Sequence, residues 1–265
     1  RTEEKMLAKA ADRKNIDLNM MCSKDLYFDL HKDYYEEFGD AVLQRCVSYF
    51  RSLHITAFLE SKEVKVVNGF REAITAGNKL NSTLKLIKAG IPVPKTYLAF
   101  NQKSSLKALE ELGYPAVLKP TMGSWGRLIA LMNDSESAES ILEDREHMFP
   151  IYQIYYIQEK VKRPPRDIRA FVIGDKVVAA IYRISADGVW KTNTARGGKA
   201  ENYPVTNELE DLCLKAAAAI GEGLFGVDLM ESSDGLVVHE VNNTIEFRNT
   251  VPVTGIDIPS LMLDY

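Results

Sequence analysis

The chain alternates between short apolar runs and stretches with helical spacing. Met6, Leu7, Ala10 and Ala11 share one face of a helix over residues 1–14. Ala41-Val42-Leu43 and Val64-Lys65-Val66-Val67-Asn68 read as short strands on either side of a helix from Ser48 to Glu60. That alternation predicts a small open sheet with helices over residues 1–77. A helix over 79–89 stops at Gly90, and Pro92 and Pro94 then force an extended segment. A further helix over 103–112 stops at Gly113. Strands at 114–119 and 128–132 flank a glycine-framed turn, Gly123-Ser124-Trp125-Gly126, and Asp134 or Ser135 caps a helix reaching His147. From residue 155 strands dominate: 155–161, 167–173 and 176–184, the last two joined by a hairpin at Gly174-Asp175. Thr206 caps a helix whose stripe Leu209, Leu212, Cys213, Ala216, Ala217 and Ile220 keeps a 3.6-residue period. Two more strands, 225–231 and 236–242, flank Ser-Ser-Asp-Gly. The pattern predicts a mixed α+β fold with antiparallel sheets in its last two-thirds.

Composition narrows the function classes. The 265 residues are 46% hydrophobic and 26% charged, which is ordinary for a globular chain. The net charge of -4 disfavours a broadly basic nucleic-acid binder. Cys22, Cys46 and Cys213 lie far apart without C-x-x-C, so a disulfide framework or cysteine zinc site is disfavoured and a reducing, cytoplasmic location fits. The four histidines form no ligand pair. No apolar run approaches the roughly 20 residues of a membrane span. The chain does not begin with Met, and it opens inside an amphipathic stretch, so the natural N-terminus is expected to be missing.

Gly221-Glu222-Gly223-Leu224-Phe225-Gly226 matches G-x-G-x-x-G, but it follows a helix and opens a strand, the reverse of a dinucleotide fingerprint. Helix termination explains these glycines. Asn81-Ser82-Thr83 and Asn242-Asn243-Thr244 match the glycosylation acceptor, with no secretion signal beside them. The acidic residues near the end carry more weight. Glu240 and Asn242 are two apart on one strand and share a face. Asp228, on the preceding strand, joins them only if it pairs opposite Glu240, which requires an odd-length loop; a two-residue Asp234-Gly235 loop would put it on the other face. Three converging oxygen donors suit Mg²⁺ completed by substrate phosphates. The plain alternative is an exposed polar face of a hairpin. Lys119 ends an apolar strand before the glycine turn, and Lys79 opens a helix. Each suits a phosphate as a point charge, and the turn offers backbone N–H groups, although a solvated lysine reads the same. Gln158-Glu159-Lys160-Val161 runs into prolines, leaving backbone groups able to meet an adenine edge; an inter-strand linker looks alike.

Lysine, lysine with glycine loop, hinge strand, aspartate and E-x-N occur in this order in the ATP-grasp superfamily. Over nearly its whole length the chain resembles the RimK-like branch, and within it the ligases that serve lysine biosynthesis through an amino-group carrier protein. The residues behind this are Gly123-Ser124-Trp125-Gly126-Arg127, Arg166-Asp167-Ile168-Arg169, Thr192-Asn193-Thr194-Ala195-Arg196-Gly197-Gly198 and, most specifically, Glu240-Val241-Asn242-Asn243-Thr244-Ile245-Glu246-Phe247-Arg248-Asn249. The resemblance implies an N-terminal α/β domain (1–77), a central ATP-grasp subdomain (78–157) and a C-terminal one (158–265), the last two clamping ATP. It also implies a further strand before the first helix and a helix after Tyr265. The family usually has Asp where this chain has Asn78, a position given no chemistry here.

The implied reaction is ATP-dependent. The side-chain carboxylate of a carrier protein's C-terminal glutamate becomes an acyl phosphate, and the α-amino group of 2-aminoadipate attacks it. Lys79 and Lys119 would hold phosphates under the loop Gly123, Ser124, Trp125 and Gly126. Gln158, Glu159, Lys160 and Val161 would be the adenine hinge, and Asp167 would bind ribose. Asp228, Glu240 and Asn242 would hold two Mg²⁺. Arg183, Asn193 and Arg196 would contact the acyl phosphate or acceptor carboxylates; strand-surface polarity is the plain alternative for Arg183 and Asn193. Thr194, Thr244, Phe247, Arg248, Asn249 and Thr254 would shape the amino-acid pocket. Glutamate in place of aminoadipate, both substrates, a ribosomal-protein glutamate ligase, or a nucleotide binder without ligase activity are the competing readings. The partners expected are the acidic carrier and the amino acid, with no nucleic acid or membrane, and a homo-oligomer stays open. The charge then changes meaning: residues 160–199 hold ten Lys and Arg against three Asp, a local excess of +7 inside an acidic chain. Such a strip steers anionic substrates.

Overall fold

The structure is a computed structural model that describes residues 1–34, 37–123, 126–185 and 198–265. Near the N-terminus, α1 (Thr2–Lys14) buries Leu7, Ala10 and Ala11, as its spacing predicts. β1 (Val42–Leu43), α2 (Tyr49–Ser61) and β2 (Val66–Val67) follow, the two strands pairing in parallel. A short helix that the pattern did not signal, α3 (Phe70–Ala76), leads into α4 (Lys79–Lys88). Asn78 caps α4 by accepting from the backbone N–H groups of Leu80 and Asn81. Asparagine and aspartate serve equally in that role, which accounts for either residue there.

Four antiparallel strands form the middle sheet: β3 (Thr96–Ala99), β4 (Ala116–Lys119), β5 (Ala130–Met132) and β6 (Tyr155–Glu159), in the order β3-β6-β4-β5. α5 (Gln102–Leu112) and α6 (Ser135–Glu146) cover it, and Leu109, Met132, Leu142 and Ile157 are completely buried between them. β3 lies where the prolines predict only an extended chain. Pairing with β6 makes it a strand.

The second sheet has five antiparallel strands in the order β11-β10-β7-β8-β9: β7 (Arg166–Ile173), β8 (Lys176–Ile184), β9 (Lys199–Asn202), β10 (Leu224–Ser232) and β11 (Gly235–Asn242). α7 (Asn207–Ile220) packs Leu209, Cys213, Ala216 and Ile220 on one face of this sheet. Leu86 of α4 and Ile91 join that core, so α4 packs with the C-terminal sheet rather than with the middle one. The opposite face carries a second core with Phe171, Ile181, Phe247 and Met262. α8 (Val251–Thr254) and α9 (Ile258–Asp264) close the chain, and α1 lies against α9 through Leu7 and the Lys14–Asp264 ion pair. Residues 1–77 keep a small core of their own around Ile55, Leu59, Val64 and Val66, while Leu7 of α1 joins the second core of the C-terminal sheet. The G-x-G-x-x-G segment follows α7 and opens β10, and a side chain at Gly223 (φ +144°) would collide with Asn68.

Candidate active site

The site is a row of charged side chains crossing the five-stranded sheet. Glu240 on β11 pairs directly with Asp228 on β10, and Asp228 with Arg169 on β7. Two residues along β7 from Arg169, Asp167 pairs with Arg183 on β8. The hairpin achieves this differently from the expected odd loop. Its turn is two residues, Ser233 and Asp234, closed by the pair Ser232 and Gly235. That register would set Asp228 opposite His239. A bulge between Leu229 and Asp228 takes up His239 as the extra residue, and the pairing resumes at Glu240. The odd residue lies in the strand rather than in the turn.

Asp228 is 2% exposed. Arg169 grips it with two nitrogens, the Nη2–Oδ2 distance being 2.8 Å, and Arg183 Nη2 lies 3.1 Å from the same oxygen. Gly226, two residues before Asp228, leaves room for the Arg169 side chain, which would touch a Cβ there at 3.3 Å. Burial works to raise the Asp228 carboxyl, and the charges of Arg169 and Arg183 overcome it, holding the group far below the usual carboxylate range. Arg183 is raised in return: burial lowers it, and Asp228 and Asp167 more than compensate. Glu240, also opposed by burial, is lowered by the Lys79 ammonium 3.0 Å away. Asn242 donates a 3.4 Å hydrogen bond to Asp228.

Lys79 heads α4 with its Nζ also donating to the Gly123 carbonyl at 2.9 Å, which ties the glycine turn to the carboxylates. Lys119 ends β4 and donates to Gln158 Oε1 at 2.5 Å. Gln158 in turn donates to Thr96 and Tyr156, so its side chain points into the protein and positions the lysine. Burial pushes Lys119 down to about 8, with Lys79 and Arg163 adding to the effect and Glu240 opposing it.

Lys79, Lys119, Gly123, Gly126, Arg183 and Glu240 line a cleft of about 260 Å³. Asn242, Thr244, Arg248 and Asn249 line it too. Asp228 lies beneath them. Phe247 is fully buried under the loop, and the Thr254 hydroxyl is spent on Thr250 O and Ile256 N, so neither lines the cleft. Asp167, expected at the ribose, is 2% exposed, and both its oxygens accept from Arg183, at 2.7 and 2.9 Å. These two bonds orient the Arg183 guanidinium. The hinge differs. The Glu159 and Lys160 N–H groups are not free, because they donate to the carbonyls of Lys95 (2.9 Å) and Pro115 (3.3 Å) as the neighbouring chains run past the strand ends. β6 ends at Glu159, so Lys160 and Val161 lie beyond the strand. Ser124, Trp125, Asn193, Thr194 and Arg196 lie outside the described residues.

Three residues were not singled out from the sequence. Arg169 was readable, since it stands two residues from Asp167 on the same strand face. His239 was hidden by the bulge. Arg45 gave no signal: it follows β1, donates to Ile245 O at 2.9 Å and lies over the Phe247 ring at 5.3 Å, supporting the loop after β11 from the N-terminal segment.

A cleft with two lysines, a glycine turn and buried carboxylates beside two antiparallel sheets defines an ATP-grasp protein. The fold agrees: the chain superposes on the RimK domain ATP-grasp protein of Sphaerobacter thermophilus with a TM-score of 0.81 at 24% identity, covering 100% of this chain and 95% of that one. Residues 76–265 match the RimK-like ATP-grasp domain and residues 1–75 the LysX preATP-grasp domain; the chain belongs to the RimK-like ATP-grasp family. It is 38% identical over 267 residues to the alpha-aminoadipate–LysW ligase LysX of Sulfurisphaera tokodaii, covering 99% of this chain and 93% of that protein. It is 32% identical over 269 residues to the glutamate–LysW ligase ArgX of Sulfolobus acidocaldarius, covering 100% and 94%. Among the described residues, no helix is long and apolar enough to cross a membrane.

Proposed function

We propose that this protein is an ATP-dependent carboxylate–amine ligase of lysine biosynthesis. It joins the α-amino group of 2-aminoadipate to the side-chain carboxylate of the C-terminal glutamate of an acidic amino-group carrier protein. The observation that carries the substrate is the full-length likeness to an alpha-aminoadipate ligase at 38% identity, against 32% for a glutamate ligase. In the first half-reaction a carboxylate oxygen of the carrier attacks the γ-phosphorus of ATP and ADP leaves. In the second, the amino nitrogen attacks the acyl carbon, inorganic phosphate departs with the bonding pair, and the nitrogen gives up a proton.

The chain's contribution is positioning and electrostatics, the main terms in phosphoryl transfer. Lys79 and Lys119 hold the phosphates, with the turn at Gly123, Ser124, Trp125 and Gly126 over them. The strand end at Glu159 to Val161 takes the adenine through backbone groups other than the two N–H groups already spent. Arg183, fixed as a fork by Asp167, faces the acyl phosphate, and Asn193 and Arg196 are assigned the same role. Thr194, Thr244, Arg248 and Asn249 border the amino acid, and Phe247 and Thr254 support that wall from behind. Asp228, Glu240 and Asn242 fit Mg²⁺, being hard oxygen donors on one face of the hairpin next to phosphate-facing lysines. Each carboxylate keeps lone pairs beyond those its cations use. Bound Mg²⁺, two ions in this reading, offsets charge on the transferring phosphoryl group. The protein works in the cytoplasm.

One methylene separates aminoadipate from glutamate, worth about 1–3 kcal/mol in a pocket. The test is ADP release with the carrier and each amino acid in turn. Release with aminoadipate at a kcat/KM about tenfold or more above that with glutamate supports the reading. A reversed ratio makes it a glutamate ligase, and no release with either refutes the ligase.

A further inference from the structure

His239 is the one imidazole at the cleft among the described residues, and the ligase scheme gives it no role. Neither of its ring nitrogens has a hydrogen-bond partner, although both are shut off from solvent. A buried imidazole ordinarily satisfies at least one nitrogen within the protein. The environment of this one therefore asks for an external partner.

The bulge explains why the ring is there. In a regular strand His239 and Glu240 would face opposite sides of the sheet. With His239 taken up as the extra residue, both lie on the face of Asp228. One ring nitrogen of His239 and one carboxylate oxygen each from Asp228 and Glu240 fall within 4.8 Å of one another. Ligands bound at about 2.0–2.2 Å to a single first-row ion stand roughly 3–4 Å apart, so a small inward movement would close the set. Two carboxylates and an imidazole form a different donor set from the all-oxygen group read from the sequence. Nitrogen donors favour Mn²⁺ little, but Co²⁺ and Zn²⁺ strongly, over Mg²⁺.

We propose that His239 is a nitrogen ligand to a divalent cation held by Asp228 and Glu240, and that it makes this position selective for a borderline metal such as Co²⁺ or Zn²⁺ over Mg²⁺. The proposal rests on reading the two carboxylates as metal ligands, and the test separates the two claims. Co²⁺ and Mg²⁺ are titrated separately into the full chain with ADP present, for wild type, His239→Gln and Glu240→Gln. Calorimetry gives affinities, and visible absorption reports the Co²⁺ coordination sphere. Circular dichroism and melting curves confirm folding. In wild type loaded with Mn²⁺ as a spectroscopic probe, electron spin-echo modulation should reveal a directly bound ¹⁴N, a readout that needs no variant.

The expected result is a loss of Co²⁺ affinity of about tenfold or more and a changed spectrum in His239→Gln, with Mg²⁺ affinity within about twofold of wild type. Glu240→Gln should weaken both metals. If Glu240→Gln weakens both metals while His239→Gln binds Co²⁺ like wild type, the imidazole ligand is overturned and the carboxylate site stands. If Glu240→Gln leaves both metals unaffected, the metal reading itself falls. Should His239→Gln fail to fold, His239→Asn replaces it, and absence of the nitrogen signal in wild type overturns the proposal by itself.

Discussion

Lys119 gives the most quantitative handle on the cleft. In the ligand-free protein its ammonium sits near a pKa of about 8, because burial removes its hydration and Lys79 and Arg163 repel it. At that value about nine in ten molecules carry the charge at pH 7, half at pH 8 and about one in ten at pH 9. A phosphate placed against Nζ favours the charged form, so ATP should bind with proton uptake that grows from about 0.1 to about 0.9 proton between pH 7 and pH 9. Affinity should fall about tenfold over the same range, equivalent to about 1.4 kcal/mol. Calorimetric titration of a non-hydrolysable ATP analogue, in two buffers of different ionisation enthalpy, reads both quantities. Lys119→Met isolates the lysine from other groups that titrate in this window: it should bind weakly at every pH and lose that uptake. Wild-type affinity that stays flat from pH 7 to pH 9, with no buffer-dependent heat, would refute the placement of Lys119 at the phosphates.

The same shift has a stability consequence of opposite sign. The folded pKa lies below the unfolded value of 10.5, so the charged lysine costs stability, in full below pH 8, and the cost disappears as pH rises to 10.5. Two and a half units amount to about 3 kcal/mol. Methionine escapes that cost but leaves Gln158 Oε1 without its donor, at about 1–3 kcal/mol. Lys119→Met should therefore melt at or slightly above the wild-type temperature while losing nucleotide.

Asp228→Ala should abolish turnover and also lower unfolding free energy by about 3–5 kcal/mol in denaturant titration, since Arg169 and Arg183 are left charged and buried without it; a fully stable variant would contradict the network. Asp167→Asn should lower kcat while leaving the KM for ATP near wild type, because it frees the Arg183 fork without touching the lysines, and Arg183→Lys should not restore the rate, as an ammonium cannot make two parallel bonds. Unchanged kcat in Asp167→Asn would return Arg183 to a merely structural part. Asn78→Ala should cost about 1 kcal/mol of stability and Asn78→Asp nothing measurable in the same titration, since the position is a helix cap.

Elements that carry their own local signals were legible in the sequence. α1, α4, α5, α6 and α7 announce themselves through caps, stops or a 3.6-residue stripe, and β7 and β8 through their glycine turn. β3 and β9 were not legible because each exists only through a partner strand, β6 and β8 respectively, that no local pattern names. α3 and α9 are seven residues each, too short for periodicity to speak. In the site, residue type was readable and geometry was not. Lys79, Lys119, Asp228, Glu240 and Asn242 were found as the charged or amide residues at element ends and on alternating positions. The bulge that aligns three of them was invisible, because loop parity alone decides register only in an uninterrupted ladder. Asp167 shows the same limit: its type suits a ribose hydroxyl, and the direct pairing with Arg183 across β7 and β8 could not be read from type alone.

That pairing belongs to an arrangement that makes the cleft stable before any ligand arrives. Asp167, Asp228 and Glu240 supply three negative charges, and Lys79, Lys119, Arg169 and Arg183 supply four positive ones. Each carboxylate touches at least one cation, and only Lys119 lacks an ion-pair contact within the set. Uncompensated charges at this depth would cost several kcal/mol each, so the interleaving permits a highly charged cleft without ligand. It also sets the terms on which a metal–triphosphate enters. In the proposed reading the phosphates would draw Lys79 away and satisfy Lys119, the surplus cation, and Glu240 would then be open to a metal. Asp228 would be shared between that metal and its two arginines, since a carboxylate offers about four lone-pair sites. The charge in excess before binding is thus the one whose protonation should report binding, which is why the Lys119 titration and the metal titration probe one rearrangement from its two ends.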